Sequence, residues 1–429
     1  MQYLPRVLDR VLATRLRGFG AVLIEGPKWC GKTTTAAQIA KSILRLQDPA
    51  TKKGYLAAAD ADPSLLLQGA TPRLIDEWQD IPEIWDAVRI AVDDRNSAGQ
   101  FILTGSNNID RDQIAHTGIG RITRLKMIPM SLWESQESNG KISLQQLFDE
   151  PQLDINGIAS EMKIEDLIFA ACRGGWPASL NKPADVQLLI AQDLVNSIVQ
   201  DDMTKRNGIS PNPALTSAIL KSYARNISTL AKHTTILQDV ISSANLTASS
   251  GTVEKHITAL KKLFIIDDLP AWGPKLRIKT AIRRGQKRAF CDPSIAVAAL
   301  GATPQSLIEQ FDVFGFIFEQ LCIRDLKAYT PDFQSHLSYY HDRYDLEADL
   351  VLHLADGRYA LIECKLGSHE LDKGAQHLLK IKNLVQRYNQ NHRSSPLRTP
   401  DLLIILSGGP VAFTRPDGVK VIPLATLRP

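Results

Sequence analysis

Two glycines, a lysine and a threonine stand at fixed spacing in Gly26–Thr33, which reads Gly-Pro-Lys-Trp-Cys-Gly-Lys-Thr. The apolar run Ala21–Ile24 before it predicts a buried strand, and Thr34–Leu46 after it is rich in helix-forming residues. A glycine loop between a strand and a helix turns its backbone N–H groups inward, where they can surround a polyphosphate. Lys32 would then reach the outer phosphates, and the Thr33 hydroxyl would ligate Mg²⁺.

This loop predicts a nucleotide site, with ATP and Mg²⁺ as the expected cofactors, and the alternative is an ordinary glycine-rich turn. The residues expected to contact the nucleotide run from the loop into the first turn of the helix. They are Gly26, Pro27, Lys28, Trp29, Cys30, Gly31, Lys32, Thr33 and Thr34.

Two later apolar runs supply the polar groups that phosphate chemistry requires. Residues 74–77 predict a short strand that ends in Asp76 and Glu77. If this strand lies beside the strand of the loop, Asp76 would hold Mg²⁺ and Glu77 would polarise the attacking water as a general base. The next apolar run ends in Thr104 and Ser106, whose hydroxyls could orient that water against the γ-phosphate.

Arg121 follows a glycine and precedes the strand-like run Ile122–Leu125. An arginine at this place could stabilise transition-state charge on the nucleotide of a neighbouring subunit, which would make the protein a homo-oligomer. The alternative is an ordinary surface arginine that forms a salt bridge.

Composition narrows the class of protein. The 429 residues are enough for two to four domains, and the net charge of +4 permits a nucleic acid partner without requiring one. Five cysteines without metal-ligand spacing favour a reducing cytosol over a disulfide framework or a zinc site. The sequence has neither the apolar core of a signal peptide nor an apolar stretch long enough to span a bilayer, so we expect a cytoplasmic protein without a membrane segment.

The order of these patterns predicts an α/β protein of four regions. A parallel sheet wrapped by helices is expected at residues 1–135, a helical lid at 136–225, a winged-helix-like module at 226–290 and a nuclease-like α/β domain at 291–429. The strands expected in the first region are Ala21–Ile24, Gly54–Ala59, Arg73–Ile75, Phe101–Thr104 and Arg124–Ile128.

Residues 226–290 combine two predicted helices, Ile236–Ala244 and Thr252–Phe264, with a strongly basic stretch that alternates with apolar residues. In a helix-turn-helix unit the second helix enters the major groove of DNA. The alternation of the basic stretch resembles a β-hairpin, and the phosphate backbone of DNA is the natural partner of a basic hairpin. The alternative is a solvated hairpin in a module that contacts protein. The residues expected to contact DNA are Lys255, Lys275, Arg277, Arg283, Arg284, Lys287 and Arg288.

Near the carboxyl terminus, the dipeptide Asp356-Gly357 separates two alternating apolar runs and predicts a β-hairpin. A three-residue loop with Gly357 in the left-handed conformation places Asp349 opposite Glu363, and Glu347 opposite Lys365, on one face. Facing carboxylates repel unless a cation or a proton joins them, so Mg²⁺ bound by Asp349 and Glu363 is expected, with Lys365 beside it.

This carboxylate cluster has two alternatives. The first is a degenerate site that binds a partner without cleaving it. The second is a salt-bridged sheet surface in which Lys365 pairs with Glu347 and Glu363 faces solvent.

The loop and the strand ends resemble those of AAA-type P-loop ATPases. Asp349 followed by Glu363-Cys364-Lys365 resembles the PD-(D/E)xK nuclease core, although Ala348 stands where that core has proline. Glu319 resembles the additional glutamate that some members carry on their first helix. The whole layout is similar to a large family of bacterial and archaeal ATPases with a carboxy-terminal domain of unknown function, which implies ATP binding.

Together these patterns predict a cytosolic, Mg²⁺-dependent ATPase that acts on DNA. One alternative is a signalling or scaffold ATPase whose carboxy-terminal domain binds protein. Another is a metal-dependent nuclease that uses ATP only as an assembly signal.

Overall fold

The computed structural model of the protein describes residues 3–106, 118–202, 212–244, 248–273, 285–331 and 335–429. The chain divides into two compact units. The first comprises Met1–Pro129 with Lys261–Ile265, and the second comprises Met130–Leu260 with Ile266–Pro429. None of the helices in the described ranges is long and apolar enough to cross a membrane.

The first unit contains a five-stranded parallel sheet with the strand order β2-β3-β4-β1-β5. Its central strands are continuous apolar runs because helices cover both faces of a parallel sheet. The strands are β1 (Ala21–Glu25), β2 (Ser42–Arg45), β3 (Arg73–Asp76), β4 (Phe101–Gly105) and β5 (Ile122–Lys126). The helices are α1 (Val7–Gly18), α2 (Lys32–Ile39), α3 (Lys52–Ala61) and α4 (Ile84–Arg95).

The position of β4 corrects the expectation that the strand of Asp76 lies beside the strand of the loop. In the structure β4 lies between them, and Ile102 pairs with Val22 on one side and with Leu74 on the other. The side chains of β4 are all buried, so its backbone groups also need a partner strand on each side.

Two further expectations in this unit are wrong. The predicted strand Gly54–Ala59 lies within α3, because its alanines favour a helix. Ala59 is the one fully buried residue of α3, whereas a strand inside a parallel sheet would be buried on both faces. The helix after the loop ends at Ile39 rather than at Leu46, and the sequence then enters the edge strand β2, which pairs with β3.

Helices predominate in the described residues between 144 and 225 of the second unit, within the region 136–225 that the sequence predicts to be helical. They are followed by a pair of helices and by two antiparallel backbone bridges, which join Ile266 to Phe290 and Leu269 to Lys287. The helices of this half are α5 (Leu144–Asp149), α6 (Ile164–Arg173), α7 (Ala184–Ser197), α8 (Pro213–Arg225), α9 (His233–Ala244) and α10 (Ser250–Lys262).

The rest of the second unit is built on a six-stranded mixed sheet with the order β11-β12-β10-β9-β8-β7. Its strands are β7 (His336–His341), β8 (Glu347–His353), β9 (Tyr359–Lys365), β10 (Leu402–Ser407), β11 (Phe413–Thr414) and β12 (Lys420–Pro423). A separate pair joins β6 (Ile142–Ser143) to β13 (Leu427–Arg428). The helices are α11 (Pro293–Leu300), α12 (Pro304–Glu309), α13 (Phe311–Tyr329) and α14 (Leu371–Asn391).

A buried polar network ties the helical part of the second unit to α13. The guanidinium of Arg324 donates hydrogen bonds to Asp325 at 2.7 Å and to Asp292 at 3.3 Å, and all three side chains are almost inaccessible to solvent. Asp292 also accepts from the backbone N–H of Gly175, in the turn that ends α6. A Cβ atom on Gly175 would lie 2.1 Å from the carbonyl oxygen of Met130, so this position requires glycine.

Candidate functional site

The glycine loop joins β1 to α2 as the sequence predicts. A Cβ atom on Gly26 would lie 2.0 Å from the backbone oxygen of Met127, just after β5, so only glycine fits there. Gly31 has a φ of +103° and caps the first turn of α2. The two glycines therefore fix where the loop leaves the sheet and where it enters the helix.

The ammonium group of Lys32 points back into this loop. It donates hydrogen bonds to the backbone oxygens of Gly26 at 3.0 Å and Pro27 at 2.8 Å, and the residue is almost fully buried. A desolvated cation at the start of a helix, where free N–H groups also concentrate, makes this loop a site for an anion.

Arg6 supports the loop, and sequence reasoning missed it. Its buried guanidinium donates to the backbone oxygens of Cys30 and Ile128, both at 2.8 Å. Nothing in the local sequence distinguishes this arginine from a surface residue at the start of a helix, because its partners are 24 and 122 residues away.

Two predicted site residues donate hydrogen bonds to one carboxylate oxygen of a third. The hydroxyl groups of Thr33 and Thr104 each donate to Oδ1 of Asp76, and both distances are 2.6 Å. The side-chain oxygen of Thr104 in turn accepts from the backbone N–H of Glu77 at 3.2 Å. The insertion of β4 between β1 and β3 brings Thr104 between the loop and the acidic strand end.

Glu77 adopts a left-handed conformation with φ of +56°, which turns its side chain away from the path of β3. Its Oε2 accepts a hydrogen bond from the hydroxyl of Ser106 at 3.0 Å and a short one from the amide of Gln79. Gln79 is a second residue that sequence reasoning missed, because it lies past the end of the strand.

The remaining predicted loop residues differ in exposure. Cys30 is buried, with its thiol 3.8 Å from the Met127 oxygen, whereas Trp29 has a φ of +65° and is 46% exposed. Lys28 is half-buried, and Thr34 is exposed on the first turn of α2.

Arg121 does not join these residues within the chain. Its side chain is 48% exposed and pairs with Asp93 at 2.8 Å. It precedes β5, which runs parallel to β1, so it lies at the amino edge of the sheet, whereas the loop leaves the carboxyl edge.

A second cluster forms on β8 and β9, and the predicted hairpin register is confirmed. Leu354 donates its N–H to Arg358 at 2.8 Å, Gly357 has a φ of +89°, and Leu350 pairs with Ile362. Continuing this register brings Asp349 opposite Glu363.

The ammonium group of Lys365 joins these two carboxylates. It lies 2.7 Å from Oε2 of Glu363 and 3.3 Å from Oδ2 of Asp349, which also accepts from the backbone N–H of Cys364. Among the described ion pairs, Lys365 therefore pairs across the hairpin with Asp349 and not with Glu347, which is half-buried on the same strand as Asp349.

Lys287 completes the cluster, and its position corrects the expectation that it contacts DNA. Its side chain is 5% exposed, and the ammonium group lies 2.7 Å from Oε1 of Glu319 on α13 and 3.8 Å from Oδ1 of Asp349. Glu319 thus joins the cluster from a helix, as the nuclease-like pattern predicts.

The structure also removes Arg288 from the predicted DNA surface. Its buried guanidinium donates to Asp268 at 2.9 Å, to the Tyr223 hydroxyl at 3.1 Å and to the backbone oxygen of Ala231. Lys255 is exposed on α10. Four other residues expected to contact DNA lie outside the described residues: Lys275, Arg277, Arg283 and Arg284.

Burial dominates the electrostatics of the acidic cluster. It raises the pKa of Glu319 to about 7, against the attraction of Lys287. It also raises the pKa of Glu363 to about 8, and the neighbouring charge of Asp349 acts in the same direction. Burial opposes ionisation of Asp349 as well, but Lys365 and Lys287 hold the pKa of that carboxyl below its usual value.

The two sites differ in how well they fit a divalent ion. Thr33 and Asp76 offer a hydroxyl and a carboxylate 2.6 Å apart, the few protein oxygens that Mg²⁺ uses beside a polyphosphate. At the second cluster, Lys287 and Lys365 hold the carboxylate oxygens, and within the described residues no three His, Cys, Asp or Glu side chains are arranged to hold a metal. The metal site expected at Asp349 and Glu363 stays a prediction.

Three stretches of the chain match known families. Residues 19–136 match the AAA domain, residues 164–306 match a domain of unknown function (DUF8612), and residues 314–427 match another (DUF4143). The first of these regions is therefore similar to the AAA domain, and it contains the loop Gly26–Thr33.

The curated relatives are described as uncharacterised proteins. One from Mycobacterium tuberculosis is 22% identical over 342 residues, which are 79% of this chain and 68% of the relative. One from Haemophilus influenzae is 22% identical over 353 residues, covering 82% of this chain and 74% of the relative.

Two solved structures show a weaker likeness. A Walker-type ATPase of Pyrococcus abyssi is 14% identical, with a TM-score of 0.43, and covers 69% of this chain and 96% of that one. The replication initiator DnaA bound to AMPPCP and single-stranded DNA is 11% identical, with a TM-score of 0.28, and covers 59% and 86%. A TM-score below 0.5 does not establish a shared fold, so the AAA assignment rests on the family match and on the loop itself.

The close approach at Gly26 gives a first prediction. Gly26→Ala places a methyl group against the backbone of Met127, which no side-chain rotation relieves, so we expect the free energy of unfolding to fall by about 1–3 kcal/mol. Urea unfolding of the full chain measures the change. Gly18→Ala is the control, because no atom lies within 4 Å of its Cβ position. Equal stability of the two variants would contradict the packing described for the loop.

Proposed function

We propose that the AAA-type domain binds ATP with Mg²⁺ and hydrolyses it. The observation that carries this proposal is the convergence of the hydroxyls of Thr33 and Thr104 on one oxygen of Asp76 at the end of the loop, with Glu77 beside them. A metal-binding pair, a candidate base and a phosphate-binding loop thus occur together at one edge of the sheet.

In the proposed reaction Lys32 leaves the loop oxygens that it now contacts and donates to the β- and γ-phosphates instead. Thr33 and Asp76 would hold Mg²⁺, and the bound ion would neutralise charge that develops on the phosphates. Glu77 accepts the proton of the attacking water. Ser106 and Gln79 hold the Glu77 carboxylate in position through the hydrogen bonds that they donate to Oε2.

Substitutions of Lys32 and of Glu77 distinguish the binding of ATP from its hydrolysis. Lys32→Ala should abolish ATP binding, because the phosphates lose their nearest cation. Glu77→Gln should keep ATP affinity and reduce kcat by about 10²- to 10⁴-fold, because it removes the base and leaves both candidate metal-binding groups. Fluorescent nucleotide titration and phosphate release measure the two effects.

Exposed neighbours provide the controls. Lys41→Ala and Glu83→Gln change the same residue types on the surface of the same unit and should alter neither quantity. Unchanged turnover in Glu77→Gln would refute the assignment of the base, and unchanged ATP affinity in Lys32→Ala would refute the site.

Arg121 remains the candidate for a contact with the nucleotide of a neighbouring subunit in a homo-oligomer. Arg121→Ala should slow turnover by about 10³-fold or more with little effect on ATP affinity, and mixing it with Lys32→Ala should restore activity across mixed interfaces. Asp93→Asn is the matched control, because it breaks the same ion pair and leaves the arginine in place. Equal losses in Arg121→Ala and Asp93→Asn would assign Arg121 a structural role only.

DNA is the second part of the proposal, with α9 and α10 as the helices of a winged-helix module and residues 136–225 as a lid. The supporting observation is a pair of backbone bridges, Ile266 with Phe290 and Leu269 with Lys287, which join residues before the basic stretch to residues at its carboxyl end. Of the basic residues expected to contact DNA, the proposal keeps five. They are Lys255, Lys275, Arg277, Arg283 and Arg284.

Salt dependence distinguishes DNA from a protein partner. Neutralising Lys275, Arg277, Arg283 and Arg284 together should weaken DNA binding on all sequences alike. It should also reduce the slope of log affinity against log salt by about 0.9 for each phosphate that the protein no longer touches. The control neutralises the exposed residues Lys373, Lys380 and Arg387 of α14. An unchanged slope in the first variant would favour the signalling or scaffold alternative, in which this module binds protein.

We propose no cleavage step at the carboxy-terminal cluster, because Lys287 and Lys365 contact the oxygens that a divalent ion would need. Of the two activities predicted from the sequence, ATP hydrolysis is therefore the one proposed.

A further inference from the structure

Residues before and at the start of α1 contact the glycine loop and the first turn of α2. We propose that Arg6 is a positioning residue for phosphate binding, because it fixes the peptide bond between Cys30 and Gly31 in the loop. Tyr3 holds the helix end of the same run of residues. The inference rests on the proposed binding of ATP, and it identifies a residue outside the loop that sets the affinity of the loop for phosphate.

The guanidinium of Arg6 joins the loop to the segment that follows β5. Its Nη1 donates to the backbone oxygen of Cys30 and its Nη2 to that of Ile128, both at 2.8 Å, and the residue is 7% exposed. Met127 in the same segment also contacts the loop, since its oxygen lies 3.8 Å from the thiol of Cys30. The planar fork of the arginine therefore fixes the spacing between the loop and the chain beside it.

The contact with Cys30 sets the direction of one peptide bond. In a trans peptide the C=O and the N–H that follows it point to opposite sides. Because the oxygen of Cys30 accepts from Arg6, the N–H of Gly31 points away from Arg6. Gly31 caps the start of α2, where the free N–H groups of a helix bind an anion. Without Arg6 this peptide could rotate, and the loop would bind a polyphosphate less tightly.

Tyr3 contacts the other end of this run of N–H groups. Its hydroxyl donates to Oδ1 of Asp9 at 2.7 Å, and its oxygen lies 3.0 Å from the hydroxyl of Thr35 on α2. A phenol has one proton, so Thr35 is the donor in the second contact. Burial raises the pKa of Tyr3, which keeps its hydroxyl protonated. Oδ2 of Asp9 accepts from the backbone N–H of Arg6 at 2.8 Å, so one carboxylate joins the two contacts.

The contacts of Arg6 differ from those of Lys32. In the proposed reaction Lys32 exchanges its loop oxygens for the phosphates. The partners of Arg6 are backbone oxygens of the protein, so its contacts persist in the ground state and in the transition state alike. An interaction that is equal in both states changes the affinity for substrate and not the chemical step. Substitution of Arg6 should therefore raise the Kd for ATP and leave kcat nearly unchanged.

Isothermal titration calorimetry of the full chain with Mg²⁺ and the non-hydrolysable analogue AMPPNP tests this role. Arg6→Gln removes the fork and the charge, and we expect it to weaken binding on the order of tenfold. Arg6→Lys keeps the charge but can reach only one of the two oxygens, so we expect a loss of roughly threefold or more. Both variants should keep the stoichiometry of binding, and phosphate release at saturating ATP should give a kcat within about twofold of the unchanged chain.

Tyr3→Phe keeps the ring and removes the hydroxyl, and we expect it to weaken binding by roughly threefold. The matched controls come from the same unit. Arg17 is exposed on the last turn of α1 and donates to Thr14 of the same helix, so Arg17→Gln and Arg17→Lys should not change the affinity. Tyr55→Phe alters a half-buried tyrosine of α3 and should not change it either.

Stoichiometry distinguishes positioning from folding, because an unfolded fraction lowers the number of sites without changing Kd. A reduced stoichiometry at unchanged Kd in Arg6→Gln would assign Arg6 to folding alone and overturn the proposal. Full affinity in Arg6→Lys would overturn it as well, because charge would then suffice without the fork. If Arg6→Gln does not fold, Arg6→Lys and Tyr3→Phe decide, and unchanged Kd in both would overturn the proposal. Absence of AMPPNP binding by the unchanged chain would instead refute the proposed function itself.

Discussion

One carboxylate oxygen sets the arrangement of the nucleotide-binding unit. Oδ1 of Asp76 accepts hydrogen bonds from Thr33 and Thr104, so three segments that are distant in sequence meet at one atom. Each contact depends on the strand order, because β4 must lie between β1 and β3 for Thr104 to reach this oxygen. The left-handed conformation of Glu77 then sets the next carboxylate beside the same strand end, where Ser106 contacts it.

The features that could be predicted from the sequence are those formed by residues close together in the chain. The glycine loop and the hairpin at Gly357 are fixed by residues that are neighbours in the chain, and both are confirmed. The order of β1, β4 and β3 was not predicted, because it depends on which buried strands pair over long separations. The helix at Lys52–Ala61 was missed for a local reason, since its run of small apolar residues also fits a buried strand.

Charged residues in the second unit show another limit of sequence reasoning. Lys287 and Arg288 belong to a basic stretch, and such stretches usually lie on a solvated surface. Both are buried here because acidic partners come from other elements, Glu319 for the lysine and Asp268 for the arginine. A buried charge needs a partner, but the sequence does not say which residues will supply one. Arg324 follows the same rule with its two buried aspartates.

The pairing of β6 with β13 has a consequence for synthesis on the ribosome. All five strands of the first sheet have been synthesised once Lys126 has emerged from the ribosome. The strand β6, by contrast, can pair with β13 only after Leu427 has emerged. At typical elongation rates the interval is roughly 15–60 seconds. During this time the five-stranded sheet can form, while β6 remains without its partner strand. The nascent chain therefore passes through a stage in which the sheet of the first unit is formed and the start of the second unit is open to chaperones and proteases.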